Sequence, residues 1–142
     1  MEVYPVINCL DGACVEKRLG QFRKFLARGD WVHLDIADGK FTSHKTWNGP
    51  SAWPEMGADF SLEVHFMVEE AERPVKEWLR VGAKRIIVHL ESTPGASLEN
   101  ISVLADRYGS ELMLASNPET PPEALRPYLG KLSSFQVLAV YP

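Results

Sequence analysis

Strand-like apolar runs open at Val3, Trp31, Phe60, Arg85, Glu111 and Phe135, one about every 24 to 29 residues. They span Val3–Asn8, Trp31–Ile36, Phe60–Phe66, Arg85–Leu90, Glu111–Ala115 and Phe135–Val140. The spacing leaves room for one helix between successive runs. Val15, Leu19, Phe22 and Leu26 recur at helical spacing and form one apolar stripe. Val75, Trp78 and Leu79 do the same before Gly82, and Leu98, Ile101, Leu104 and Tyr108 between Ser97 and Gly109. Thr120 and Glu123 read as a capping box with Pro121 at the first helical position, Pro127 as a kink and Gly130 as the close. Parallel strands need a crossover connection, usually a helix, so repeated strand–helix units of this length specify a parallel α/β sheet.

Two architectures fit that pattern, a doubly wound sheet and a (β/α)8 TIM barrel. A doubly wound nucleotide fold more often has a glycine-rich phosphate turn after its first strand, and "NCLDGAC" offers none. In a barrel, chemistry collects at the C-terminal ends of several strands. Asn8, Asp35, His65, His89 and Asn117 all lie at or just past strand ends. The pattern therefore favours the barrel. Six strands cannot close an eight-stranded barrel, so the expectation is a single incomplete barrel domain over 1–142, a fragment truncated after strand six. The alternative is a partial barrel completed by another subunit.

Composition narrows the function classes. The chain has 142 residues, 45% hydrophobic and 24% charged, with net charge −4. There is no long basic run to suit nucleic acid, no eighteen-residue apolar stretch and no signal-peptide pattern. Neither nucleic acid nor a membrane is an expected partner, and the strand-like opening "MEVYPVINC" points to the cytoplasm. Cys9 and Cys14 are too few for a disulfide framework and read as two reduced, half-buried thiols.

"WVHLDIADGKF" and "FSLEVHFM" place His33, Asp35 and His65 on the interior-facing phase of two strands. His33 and Asp35 are two apart, so they share a face. Burying such groups costs several kcal/mol unless they are paired or bind metal. Two imidazoles and a carboxylate suit one divalent ion, Zn, Fe, Mn or Co, and three protein ligands leave a position for substrate oxygen. His89 reads as a group behind the ligands, a substrate contact or, slightly favoured, a structural histidine. Asp38 and Gly39 look like turn residues. Asn117 is expected to order the loop leading to Thr120. Trp31, Trp53 and Trp78 read as packing, with Trp47 a possible exception because it lies in the long connection from Ile36 to Phe60. Only a short helix near Ser51–Met56 is expected there, and such a loop is often functional.

At these residues the chain resembles the ribulose-phosphate 3-epimerase family. "VHLDIADGKF" is similar to the family's strand-two signature, "LEVHFMVEEAERPVKEWLRVGAKRIIVHLES" to its strand-three-to-four block, and "LASNPETPPEALRPYL" to its strand-five block. "FQVLAVYP" resembles the strand that in the family runs into a glycine-rich phosphate loop. The resemblance covers nearly the whole chain, in order. It implies a metal-dependent isomerase of the pentose phosphate pathway that interconverts D-ribulose 5-phosphate and D-xylulose 5-phosphate by proton transfer at C3. His33, Asp35 and His65 match three of four metal ligands, and Asp35 also matches one of two acid/base groups. Substrate contacts are expected at His65, Met67, Asn8 and His89.

The fourth ligand and second acid/base group is, in the family, an aspartate on a seventh strand, and the phosphate-binding glycines also lie beyond strand six. The 142 residues alone are therefore expected to be inactive. Val6 follows Pro5 where the family has serine, and Ala37 stands where it has methionine. The loop "TSHKTWNGP" also differs from the family's usual one. These departures leave another ketose phosphate open, such as a hexulose 6-phosphate, and a non-catalytic partial barrel. A phosphorylated ketopentose is the expected small-molecule partner, and the family tendency implies a homo-oligomer at full length.

Overall fold

A computed structural model describes residues 3–142. Of the strand-like opening, Met1 and Glu2 lie outside the described residues. Six strands, β1 (Val6–Ile7), β2 (Trp31–Ala37), β3 (Ser61–Met67), β4 (Arg85–His89), β5 (Glu111–Ser116) and β6 (Ser134–Val137), form one sheet in sequence order. Every neighbouring pair is parallel. Sequential parallel strands with helical crossovers are the arrangement of a TIM-type barrel, and a doubly wound sheet would have reversed its strand order at a switch point. The sheet curls so far that Val6 of β1 and Gln136 of β6 line the same cleft.

The helices are α1 (Gly12–Phe22), α2 (Trp53–Met56), α3 (Glu72–Arg80) and α4 (Gly95–Tyr108). Asp11 caps α1 by accepting from the Cys14 backbone N–H at 2.8 Å. Val15, Leu19 and Phe22 bury its apolar stripe; Leu26 falls beyond the helix but still packs on the core. On α3 the buried residues are Val75, Trp78 and Leu79. Helix α4 begins at Gly95, two residues before the expected Ser97, and buries Leu98, Ile101 and Ala105. It ends at Gly109, whose φ of 64° is a left-handed conformation that glycine adopts without a Cβ clash.

Period-two alternation does the rest of the positioning. On β2, Val32, Leu34 and Ile36 are buried beneath the helices, which turns His33 and Asp35 to the concave face. β1 is shorter than the apolar run from Val3 because Pro5 has no N–H to donate; its carbonyl still accepts from His33 N at 3.0 Å. The long connection after β2 holds a 3-10 turn over Pro50–Ala52 and then α2, as expected. Its tryptophans pack: Trp47 and Trp53 each lie 5.9 Å from Trp78, ring centre to ring centre, and Trp78 Nε1 donates to Asn48 Oδ1 at 2.8 Å. Trp47 is thus part of this tryptophan cluster. Gly49 lets it lie close, since a Cβ there would sit 2.6 Å from the Trp47 ring.

Two expectations need correction. The Thr120–Glu123 capping box does not form. The segment Pro122–Tyr128 is a 3-10 helix preceded by Pro121, and the Thr120 hydroxyl donates to Glu91 instead. Pro121, Pro122 and Pro127 supply no N–H, which leaves too few donors for an α-helical ladder. The cysteines are not free thiols either: Cys9 and Cys14 form a disulfide. The Asp11 cap folds the β1–α1 turn back and brings their Cα atoms to 5.7 Å, within the normal span of a disulfide. Among the described residues no helix is long and apolar enough to cross a membrane.

Candidate metal centre

Asp35 stands at the middle of the cluster. Its Oδ1 lies 3.0 Å from His33 Nε2 and 3.1 Å from His65 Nδ1. The register explains the meeting: Asp35 is paired with His65 across β2 and β3, and His33 is two residues back on the same face. One donor atom from each of the three residues falls within 4.8 Å of the others. His65 is buried, and His33 and Asp35 are half-buried. They line a cleft of about 380 Å³, together with Val6, Asn8 and Met67.

The backbone around Asp35 is fixed from the following loop. The Thr46 hydroxyl donates to the Asp35 carbonyl at 2.8 Å and accepts from Ala37 N at 2.8 Å. Asp38 accepts from the backbone N–H groups of Lys40, Phe41 and Glu69, which ties the β2 turn to the end of β3. Those donors overcome its burial and hold its carboxyl below the usual range.

Each imidazole has a second partner on the side away from Asp35. His33 Nδ1 lies 2.5 Å from Glu63 Oε1, and His65 Nε2 lies 2.8 Å from His89 Nε2. His89 is wholly buried, with Nδ1 3.4 Å from Glu91 Oε2 and the Phe41 ring 4.8 Å from its own. Glu63 continues into a charged row beneath the cluster, accepting from Arg85 Nη1 at 2.5 Å, while Arg85 Nε donates to Glu111 at 2.7 Å. The Arg85 guanidinium also covers the Trp31 ring at 4.8 Å.

The electrostatics follow from these contacts. Burial alone would push the His33 pKa down, but its hydrogen bonds to Asp35 and Glu63 and their negative charges outweigh that and raise it to about 9. Asp35 is likewise opposed by burial, yet the two imidazoles hold its carboxyl far below the ordinary carboxylate range. His89 goes the other way: burial, then the neighbouring His65, push it down to about 4. Without an ion, the cluster keeps its carboxylate satisfied by protonating His33. A divalent cation offers the same compensation, and two imidazole nitrogens with a carboxylate oxygen are a donor set suited to Zn, Fe, Mn or Co. The residues fit such an ion.

Of the residues singled out from sequence, His33, Asp35 and His65 meet directly. Asn8 donates from Nδ2 to Asp35 Oδ2 at 3.4 Å, and Met67 lines the cleft, largely buried. His89 stands behind His65. Asn117 donates its backbone N–H to Glu91 at 2.8 Å, so it does order its loop, though towards Glu91 and not towards a helix cap. Sequence reasoning passed over Glu63, Arg85, Glu111 and Glu91, and also His44 and Gln136, which reach the cleft. The signal for Glu63 and Glu91 was present, since each sits two residues from a histidine already singled out.

Comparison with known proteins places the chain in one family. A model of the ribulose-phosphate 3 epimerase family matches residues 2–142. The ribulose-phosphate 3-epimerase of Schizosaccharomyces pombe is 30% identical over 146 residues, covering 99% of this chain and 62% of that protein. That of Chlamydia pneumoniae is 32% identical over 144 residues, covering 99% and 60%. That of Bacillus subtilis is 27% identical over 144 residues, covering 100% and 64%. The chain thus spans about three fifths of the length of these relatives.

Proposed function

The chain belongs to the ribulose-phosphate 3-epimerase family, and from that premise we propose that it carries the metal-binding half of an epimerase site. The reaction is inversion at C3 of D-ribulose 5-phosphate to D-xylulose 5-phosphate. The observation that supports it most is the Asp35 carboxylate, held between two imidazoles at the mouth of a cleft.

His33, Asp35 and His65 would hold one divalent ion, which would supply Lewis acidity, lowering the energy of negative charge that develops on the substrate oxygens when the C3 proton leaves. Asp35 is the base on one face of C3. Its carboxylate takes the proton, the C3–H electron pair enters the ene-diolate, and a carboxylic acid on the opposite face returns a proton to C3. That second acid has no counterpart among the described residues at the cleft. Asn8 orients Asp35 through its amide, keeping one carboxylate oxygen directed. Met67 supplies an apolar wall that limits water near C3.

The substrate is a phosphorylated ketopentose in this reading. One observation favours a relative of it: Val6 presents an apolar, half-exposed side chain to the cleft where the family has a serine hydroxyl. A different ketose phosphate, such as a hexulose 6-phosphate, would then be preferred. The intact protein tests both. Bound divalent metal and solvent deuterium entering C3 of D-ribulose 5-phosphate are expected, with Asp35→Asn abolishing exchange while the fold stays. Metal without exchange would shift the assignment to another sugar phosphate. The absence of both metal and exchange would refute the epimerase reading.

A further inference from the structure

We infer that two glutamates, Glu63 and Glu91, fix which nitrogen of each histidine is bare, so that His33 presents Nε2 and His65 presents Nδ1 to a cation at Asp35. This rests on the metal-site reading above. It extends that reading to residues that touch neither the ion nor the substrate, so Glu63, Glu91 and His89 are positioning residues.

The hydrogens follow from which partners can only accept. An ionised carboxylate has no proton to give. Glu63 Oε1 lies 2.5 Å from His33 Nδ1, so that nitrogen carries the hydrogen and Nε2 holds the lone pair. His33 Nε2 is the nitrogen that faces Asp35. The second path is one residue longer. Glu91 Oε2 faces His89 Nδ1 at 3.4 Å, so His89 is protonated on Nδ1. His89 is wholly buried and directly behind a ligand of a dication, where a second positive charge is unfavourable, so its Nε2 is bare. The 2.8 Å contact between His89 Nε2 and His65 Nε2 needs one hydrogen, and His65 must supply it. His65 Nδ1 is then the bare nitrogen, and it faces Asp35 at 3.1 Å. The two histidines thus present opposite ring nitrogens because one is buttressed directly and the other through an intervening imidazole.

Glutamine substitutions invert this logic with almost no change of shape. Glu91 Oε1 accepts two donors, Asn117 N at 2.8 Å and the Thr120 hydroxyl. Glu91→Gln keeps its one oxygen there and turns its amide N–H₂ to His89 Nδ1. His89 must then accept at Nδ1 and donate from Nε2, His65 must accept at Nε2, and its hydrogen moves to Nδ1, where the cation should bind. Glu63→Gln acts likewise: its oxygen stays on Arg85 and its N–H₂ faces His33 Nδ1. Loss of such an outer partner typically lowers metal affinity about 10–100-fold.

The test uses the intact protein and Co2+ alone, with affinity read by chelator competition. A Zn2+-loaded sample with nitrogen-15-labelled histidine shows by NMR which ring nitrogen binds. The expected result is weakening by about 10–100-fold in both Glu91→Gln and Glu63→Gln, with His33 bound through Nε2 and His65 through Nδ1 in the parent. Parent affinity retained in Glu91→Gln, or His65 bound through Nε2, overturns the inference while leaving the metal site standing. A parent that binds no Co2+ overturns the metal-site reading and this inference with it. The parent's ring-nitrogen assignment needs no variant, so a variant that fails to fold does not remove the test.

Discussion

Arg85→Met isolates what the charged row beneath the His33–Asp35–His65 cluster contributes to the fold. Arg85 bridges Glu63, whose side chain is 6% exposed, and Glu111, whose side chain is 32% exposed. Removing one member of a buried ion pair costs about 3–5 kcal/mol, because the partner's charge stays buried without compensation. Three features put Arg85→Met at the low end. Glu63 keeps His33 Nδ1 at 2.5 Å. Glu111 keeps the Ser134 hydroxyl and is open to water. Methionine retains an apolar stem over the Trp31 ring and gives up only the cation–π part, about 0.5–1 kcal/mol. The expected loss is about 3 kcal/mol.

The assay is urea unfolding of the intact, metal-free protein near pH 6, where parent and variant are compared at equal slope. A loss under about 0.5 kcal/mol in the variant, the range of ordinary surface substitutions, would refute the reasoning.

The metal-free protein should be most stable near pH 6.5, as measured by urea unfolding across pH: His89, pushed down to about 4 by burial and then by His65, takes its proton more readily when unfolded, so its share is lost as pH falls below 6.5. Glu63 and Glu111 lie below their ordinary value of 4.5; burial opposes this, but the hydrogen bonds from His33 and Arg85 to Glu63, and from Ser134 and Arg85 to Glu111, outweigh it. Their contribution is present above that value and lost as pH falls through the folded-state one. His33 is raised, so its share is complete below 6.5 and lost as pH rises through about 9. Saturating Zn2+ should remove the alkaline loss, because a bound imidazole is already neutral. Reducing Cys9–Cys14 should destabilise by about 2 kcal/mol from the loop it closes, read as a change in urea midpoint with thiols counted before and after. Gly109→Ala should cost about 1 kcal/mol, because its φ of 64° strains any side chain, and thermal melting reads it.

The sheet was legible because period-two alternation and Gly-terminated helical stripes survive in this sequence without help from distant contacts. β2, β3, β4 and β5 match their apolar runs to within a residue or so at each end. The errors have physical causes. Three prolines within Pro121–Pro127 deny the α-helical ladder, a constraint that outweighed the Thr120–Glu123 cap signal. The disulfide was hidden because closure depends on the fold of the turn between Cys9 and Cys14, which Asp11 decides and which spacing between cysteines does not. Arg85 and Glu111 open β4 and β5, where charged residues read as solvated ends. Only the register, Glu63 beside Arg85 beside Glu111, shows that they face one another across the concave side.

The same alternation links the cluster to its supports. His33 and Asp35 on β2, and Glu63 and His65 on β3, are each two residues apart, so each pair projects to one face of its strand, and Glu91 follows His89 by two residues in the turn just past β4. Parallel register then sets Asp35 beside His65 and His33 beside Glu63. The three adjacent strands therefore interlock: β3 supplies the acceptor for the β2 histidine, and β4 supplies the partner for the β3 histidine. A shift of one residue in any strand would turn its pair to the helix side and break the relay at that point. The His33–Asp35–His65 cluster and the groups that contact it are thus placed largely by one property of the backbone. A glutamate two residues from a strand-end histidine in such a sheet is accordingly read as a partner of that cluster before it is read as solvated charge.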